Sequence, residues 1–294
     1  MPRTAAGVRA DPAARVADLA RQRPEWEAWL RLVATAEREA VDSDLGSVDD
    51  HAAAPAAADT PLLHHRTLRI DAARAQRVIS DLAMTASELD GATSLRGYRP
   101  SANEALQLIG AAVKHQEAEI MTAAAERGID GGALASLAHL AAMPVLRNAG
   151  HSLQSAIPQH WPHGHCPICA AWPIFAERRG LDRSRRLRCG RCAAAWEVQW
   201  LTCIYCGERN HERLGFLEPD EQGEMLKVET CVTCKGYLKS ISSLQGFPAF
   251  ELLLQDLETI ELDLVALDRG FQRPLKAAFI LDLDIADAAS GGRL

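Results

Sequence analysis

The eight cysteines constrain what this chain can fold into more than any other feature. They occur only as four Cys-x-x-Cys pairs, all in the second half of the 294 residues. The pairs are Cys166 and Cys169, Cys189 and Cys192, Cys203 and Cys206, and Cys231 and Cys234. Both thiolates of such a tight turn can bind one ion, and two turns complete a tetrahedron of sulfurs about 2.3 Å from the metal. The sequence therefore predicts two metal sites with four cysteine ligands each.

Two other uses of cysteine fit the chain less well. Disulfides are typical of small secreted domains, whereas residues 1–9 lack the apolar run of a signal peptide and no stretch is apolar enough to span a membrane. A thioredoxin-type redox pair usually occurs once, between a strand and a helix. We therefore expect a cytoplasmic metalloprotein without membrane insertion. A cross-braced arrangement of the same ligands stays open, since it changes the topology and not the chemistry.

The intervals between the pairs indicate how the pairs combine. Two pairs of turns are separated by 19 residues (170–188) and 24 residues (207–230), whereas only 10 residues (193–202) separate the middle turns. Long gaps within a site and a short gap between sites favour consecutive pairing, as in zinc-ribbon or rubredoxin-like folds. Alternating apolar residues predict strands at Trp196, Val198 and Trp200, at Leu214 to Leu217, and at Leu226 and Val228, with a turn at 222–224.

Helical patterns flank the cysteine region, so we expect an α+β fold. The predicted order is a helical N-terminal domain at residues 1–160, two tandem zinc-ribbon or rubredoxin-like four-cysteine modules at 161–243, and a C-terminal helix with a frayed tail at 244–294. The two modules divide into residues 161–200 and 201–243.

Several local signals place the helices. The apolar spacing predicts helices at residues 11–40 with a break at Pro24, at 71–89, and at 250–269. Ser101 and Glu104 form a candidate capping box for a further helix, and Pro144 is compatible with a helix start. Residues 41–60 are expected to form a loop or linker.

The predicted sites leave little room for catalysis. A closed site of four thiolates stabilises structure or carries electrons, whereas hydrolysis needs an exchangeable water. The chain has no Ser-His-Asp order, phosphate loop or HExxH motif, so we expect no enzyme. Tetrahedral sulfur suits iron and zinc equally. His163 and His165 precede Cys166 and could compete as ligands. Because four cysteines are available, they are instead expected beside the ligands or at the surface.

Charge is shared unevenly between the two modules. The chain carries a formal charge of -7, which does not indicate a nucleic-acid-binding protein, because such proteins usually have a basic domain. The first module is nevertheless rich in arginine, and we expect partners of the thiolates and solvated residues among these side chains, with a phosphate or polypeptide contact as the sharper hypothesis. The arginines are Arg178, Arg179, Arg183, Arg185, Arg186, Arg188 and Arg191. The second module is acidic, which argues against a nucleic-acid partner.

The cysteine region resembles the formate dehydrogenase accessory protein family of the FdhE type. The resemblance rests on CPIC followed by Pro173, on the run Arg-Leu-Arg-Cys-Gly-Arg-Cys with Trp196 four residues later, on CIYC, and on the segment from Glu229 through Tyr237-Leu238-Lys239. It covers Cys166 to Lys239. The family often has glycine where this chain has Ala170, and a basic residue near Trp200, differences that concern packing or surface.

The resemblance implies a cytoplasmic maturation factor for respiratory formate dehydrogenase. Such a factor would bind the catalytic subunit, which carries the molybdenum cofactor, before export by the twin-arginine route. Cys166, Cys169, Cys189 and Cys192 would then form one centre, and Cys203, Cys206, Cys231 and Cys234 the other, each with iron or zinc. Two alternatives remain, a rubredoxin-like iron redox protein and a nucleic-acid-binding zinc-ribbon protein; a homodimer is also left open.

Overall fold

The helical N-terminal half begins with two helices separated by a short turn. The computed structural model describes residues 12–41, 45–49, 59–218 and 225–290. The helices there are α1 (Pro12–Gln22), α2 (Glu27–Val41), α3 (Ala72–Ala86), α4 (Ala102–Lys114), α5 (Glu117–Arg127) and α6 (Gly131–Leu153). A 3-10 turn at Pro24–Trp26 separates α1 from α2, in agreement with the break predicted at Pro24. Within the predicted linker, residues 42–44 and 50–58 lie outside the described residues. The loop prediction is wrong for residues 46–48, which form a strand paired with residues 68–70.

Side-chain caps explain where several of these helices begin. The Asp71 carboxylate accepts the N–H of Arg74 at α3, and the Ser101 hydroxyl accepts the N–H of Glu104 at α4. The Glu104 carboxylate does not complete the predicted box, because it accepts the Tyr98 hydroxyl at 2.7 Å instead. The predicted helix start at Pro144 is wrong. Asp130 caps α6, so Pro144 lies in the middle of that helix.

A six-stranded sheet carries the cysteine region. Its strands are β3 (Phe175–Arg179), β4 (Ser184–Arg188), β5 (Ala195–Glu197), β6 (Leu214–Leu217), β7 (Leu226–Cys231) and β8 (Tyr237–Ser243). The order is β5-β4-β3-β8-β7-β6. β3 and β8 run parallel, and the other neighbouring strands pair antiparallel. The two modules are therefore joined edge to edge into one sheet. The strand predicted through Trp200 ends at Glu197, and the turn predicted at 222–224 lies outside the described residues.

The C-terminal segment contacts both halves of the chain. Two helices, α7 (Ala249–Glu258) and α8 (Ile260–Asp268), replace the single helix predicted there. The backbone leaves the helical region at Thr259, whose hydroxyl donates to the Gln255 carbonyl at 2.6 Å. The final strand, β9 (Asp284–Asp287), pairs in parallel with β2 (Thr67–Ile70), which also pairs with β1 (Gly46–Val48). Residues 291–294 of the predicted tail lie outside the described residues.

Buried side chains form a core that the helices share with the first module. Residues from α3, α4 and α6 pack in one cluster with Cys166, Cys169, Cys189 and Cys192. At Gly150 of α6, a Cβ atom would lie 1.9 Å from the carbonyl oxygen of Cys192, so only glycine permits this approach. The predicted domain boundaries at 160 and 243 stay a prediction. Within the described residues, no helix combines the length and the apolar character needed to cross a bilayer.

Candidate metal centres

All four Cys-x-x-Cys turns adopt one backbone conformation. In each, the residue after the second cysteine has a positive φ, between 58° and 75°. These residues are Ala170, Ala193, Gly207 and Lys235. The N–H of each first cysteine donates to the carbonyl five residues later: Cys166 to Ala171, Cys189 to Ala194, Cys203 to Glu208 and Cys231 to Gly236. The same local folding thus aims two thiols per turn towards one point. Ala170 occupies a left-handed position that glycine adopts without steric cost.

The thiols gather into two groups of four. Cys166, Cys169, Cys189 and Cys192 form the first tetrad, and Cys203, Cys206, Cys231 and Cys234 the second, with all sulfurs of a group within 4.8 Å of one another. The Sγ atoms of Cys166 and Cys192 lie 3.4 Å apart, and those of Cys206 and Cys231 3.8 Å apart. Ligands 2.3 Å from a tetrahedral ion lie about 3.8 Å apart. Both groups could therefore hold a metal ion, grouped as the gap lengths predicted.

The two tetrads differ in their access to solvent. All four cysteines of the first tetrad are buried. In the second tetrad, Cys206 is exposed and Cys234 is half-buried. Identical donor sets therefore occupy different environments, one inside the main core and one near the surface.

Thiol pKa values indicate that an ion would displace protons. Burial raises the pKa of Cys166 well above its usual range, whereas hydrogen bonds from the three other thiols lower the pKa of Cys189. In the second tetrad, burial raises the pKa of Cys234 to about 11. A tetrad without an ion therefore retains protons, because burial disfavours the charged thiolates and neighbouring thiolates repel one another. Binding requires thiolates, so it releases these protons.

Polar groups from the helices hold the first tetrad in place. His115, which ends α4, contacts the Cys169 carbonyl through Nε2 at 2.9 Å, and Arg191 contacts its Nδ1 at 3.1 Å. Burial and the Arg191 charge lower the pKa of His115 to about 3, so the neutral ring donates from Nε2 and accepts at Nδ1. Arg191 also donates to the Ala112 carbonyl at 2.7 Å. This arginine of the Cys-Gly-Arg-Cys turn thereby fastens the first tetrad to α4.

The other arginines of the first module pair mainly with carboxylates and carbonyls. Arg185 reaches Glu229 at 2.5 Å, and Arg188 reaches Glu177 at 2.6 Å. These two are therefore not among the thiolate partners expected within the arginine group, because their side chains reach carboxylates on other strands. Glu177 is fully buried. Its carboxylate joins the middle of the sheet to the segment that leads into α7, since it also accepts the N–H of Phe247 at 2.9 Å.

His163 and His165 stay outside both tetrads. Their rings stack with centroids 4.8 Å apart, and the His165 ring packs edge-on against Trp161. Trp172 in turn packs edge-on against Tyr205 of the second tetrad's Cys-Ile-Tyr-Cys turn, at 5.0 Å. The two histidines therefore belong to an aromatic cluster between the modules, consistent with their expected place beside the ligands.

The Tyr-Leu-Lys segment anchors the C-terminal helices. Lys239 is fully buried, and its ammonium contacts Asp256 and Asp263 at 2.7 Å each. The Tyr237 hydroxyl donates to Asp263 at 2.8 Å. Both residues lie on the same side of β8, facing α8, so this motif supports the sheet and contributes no metal ligand.

Sequence patterns alone did not identify His115 or the glycines that touch the turns. The signal available for Gly150 was its position within a helix, where glycine costs about 1 kcal/mol relative to alanine and often has a packing reason. Gly164 also permits a close approach to a turn, because a Cβ atom there would lie 1.9 Å from the Ile204 carbonyl oxygen. His115 offered no local signal, since its partner Cys169 is 54 residues away.

Known proteins match this chain in sequence and in fold. Residues 201–280 match the family model described as "FdhE, C-terminal domain". A protein named "Protein FdhE homolog" from Stutzerimonas stutzeri (strain A1501) is 36% identical over 111 residues, which are 37% of this chain and 35% of that protein. Its namesake from Haemophilus influenzae (strain PittEE) is 30% identical over 127 residues, or 42% of this chain and 40% of that protein. The matched region thus spans less than half the length of these relatives.

A solved structure extends the similarity to the whole fold. The crystal structure of the FdhE protein from Pseudomonas aeruginosa superposes with a TM-score of 0.54 at 20% sequence identity, over 92% of this chain and 94% of that one. At this identity the match concerns the fold alone. Together with the sequence matches, it confirms the resemblance that the cysteine motifs indicated.

Proposed function

We propose that this FdhE-like chain is an accessory protein for the maturation of respiratory formate dehydrogenase. It acts in the cytoplasm without catalysing a reaction, and it binds the catalytic subunit during assembly, before export. The match of residues 201–280 to the FdhE C-terminal domain carries the proposal. That match includes the second tetrad and the helices α7 and α8.

Each tetrad binds one ion, iron or zinc, through all four of its cysteines. With every coordination position filled by sulfur, the ion has no place for a substrate or a water. The centres therefore stabilise the modules and shape the surface that the client contacts.

Genetic complementation tests the accessory role. A formate-oxidising bacterium lacking its own FdhE-type gene would express this chain, with formate-dependent dye reduction by its membranes as the readout. We expect activity to return with the wild-type chain and the catalytic subunit to co-purify with it. Leu181→Ala, at an exposed hairpin residue, serves as the control, and Cys189→Ser is expected to fail. Failure of the wild-type chain to restore formate oxidation in a deletion strain that has lost it would refute the role.

An electron-transfer role for the second tetrad is the alternative that a specific observation favours. The exposed Cys206 thiol brings a bound ion near the surface, and iron with four thiolates cycles by one electron. The visible spectrum of anaerobically purified protein separates the two roles. A red protein that dithionite bleaches reversibly would support electron transfer, whereas a colourless protein with stoichiometric zinc would exclude it.

A further inference from the structure

Three large apolar side chains lie exposed around one groove beside the second tetrad. Trp200 is 44% exposed, Leu201 56% and Phe216 49%. Together with Cys203 and Tyr205 they line a cavity of about 50 Å³. By volume this cavity holds a few water-sized groups, so it accommodates one aliphatic side chain. We call this feature the Trp200 groove. Aromatic residues around a small pocket are typical of surfaces that bind polypeptides.

The backbone of Leu201 is held in an unfavourable conformation. Its φ is 52°, in the left-handed region that residues other than glycine rarely adopt. A bulky side chain at such a position is strained, and strain of this kind concentrates at functional sites. A glycine would relieve the strain and leave the groove without one wall.

The groove borders the free edge of the sheet. β6 is the last strand in the order. The N–H of Val232 donates to the carbonyl of Arg213, so alternation along the antiparallel pair turns the N–H and C=O of Phe216 away from β7. Among the described residues, neither group forms a hydrogen bond. An extended segment could therefore pair with Phe216 and place alternate side chains in the groove.

The charge of the second module indicates which segment would fit. Residues 201–243 contain seven carboxylates against five lysines and arginines. Lys239 is buried against Asp256 and Asp263, and Glu229 in the groove wall pairs with Arg185 of the first module, so six carboxylates face four basic residues. A divalent ion bound by four thiolates would add two negative charges at the groove wall, where Cys203 lies. Electrostatic complementarity therefore favours a basic partner.

We infer that the Trp200 groove binds an extended segment of the client in which an apolar anchor residue is flanked by basic residues. The inference rests on the proposed function, which makes the client the formate dehydrogenase catalytic subunit. Cys203 and Tyr205 belong to a turn of the second tetrad, so the groove has its shape only while that tetrad is folded.

Peptides tiling the catalytic subunit, measured against the metal-loaded full chain, test this inference. On an array of 12-residue peptides, we expect the strongest signals from sequences with an apolar residue next to lysine or arginine. In fluorescence anisotropy, Phe216→Ala and Trp200→Ala should weaken the best peptide about tenfold or more, whereas the exposed-leucine control Leu181→Ala should leave its Kd unchanged. Replacing the peptide's basic residues by glutamate should abolish binding.

Leu201→Gly keeps the test independent of folding defects. We expect its melting temperature to equal or exceed that of the wild type, with the same loss of peptide binding. Wild-type affinity in all three groove variants would overturn the inference, as would selection of acidic peptides. A change of sedimentation mass in the groove variants would also overturn it, because a second copy would then occupy the groove. Failure of the wild-type chain to retain the intact catalytic subunit would refute the proposed function and the inference together, whereas retention by the groove variants would refute only the inference.

Discussion

Replacing Glu177 tests whether one buried carboxylate holds the joined sheet together. Arg188 donates to this carboxylate at 2.6 Å, Arg179 at 2.7 Å and the Ser243 hydroxyl at 2.8 Å. The backbone N–H of Phe247 adds a fourth donor at 2.9 Å. Glu177→Ala removes the acceptor for all four groups and leaves the buried Arg188 guanidinium without its counter-charge.

The expected cost is large because the environment is dry. Removing one partner of a buried ion pair costs about 3–5 kcal/mol, and we expect Glu177→Ala to lower the free energy of unfolding by that amount. Glu197→Ala is the matched control on the same sheet. Glu197 pairs with Arg186 at 3.5 Å, and their side chains are 60% and 36% exposed, so this pair contributes less than about 1 kcal/mol.

Urea unfolding of the metal-loaded full chain, followed by far-UV circular dichroism, measures both variants. Equal losses of stability in Glu177→Ala and Glu197→Ala would refute the reasoning. Burial alone would raise the pKa of Glu177, but the Arg188 charge and the donated hydrogen bonds outweigh it and lower the pKa. The ionised carboxylate therefore stabilises the fold above the unfolded pKa of about 4.3. The difference between wild type and Glu177→Ala should shrink as the pH falls below that value.

Three further predictions concern the tetrads. Cys189→Ser and Cys206→Ser should each lower the metal content, measured by elemental analysis, from two ions to one. Only Cys189→Ser should lower the melting temperature of the helices, because its tetrad lies in their core. Equal melting temperatures of the two variants would contradict this. Gly150→Ala should destabilise the chain by about 1–3 kcal/mol, because its Cβ would meet the Cys192 carbonyl, whereas Gly91→Ala, with open space around it, should be tolerated in thermal melts. Zinc binding at pH 7 should release protons, so the heat measured by titration calorimetry should vary with the ionisation enthalpy of the buffer. A binding heat that is the same in all buffers would show that the thiols were already ionised.

Local chemistry explains what could be predicted from the sequence. The spacing within each Cys-x-x-Cys turn and the lengths between turns were sufficient to group the thiols, because each turn is closed by its own backbone hydrogen bonds. The predicted cap at Ser101 likewise lies within three residues of its partner, Glu104. The break at Pro24 follows from one residue.

Long-range pairing explains what could not be predicted. Thr67 lies beside Asp284 and Phe175 beside Lys239 in parallel strand pairs, and no local pattern records such distant partners. The arginines show the same limit. A run of arginines indicates positive charge, but the sequence does not show which carboxylates pair with it. In the folded sheet, Glu177 and Glu229 lie close enough to form ion pairs with these arginines.

The contrast between the two tetrads follows from what surrounds them. The turns of the first are fixed by the helical half, since Leu62 and Leu63 donate their N–H groups to the carbonyls of Pro167 and Ile168. An ion bound there would be sealed in the core and would stabilise the contact between helices and sheet. The second tetrad has an exposed ligand, Cys206, and an apolar groove at its side. Loss of its ion would alter a surface and leave the main core intact. We therefore propose different roles for the two tetrads, with the first maintaining the fold and the second presenting the surface that a client would contact.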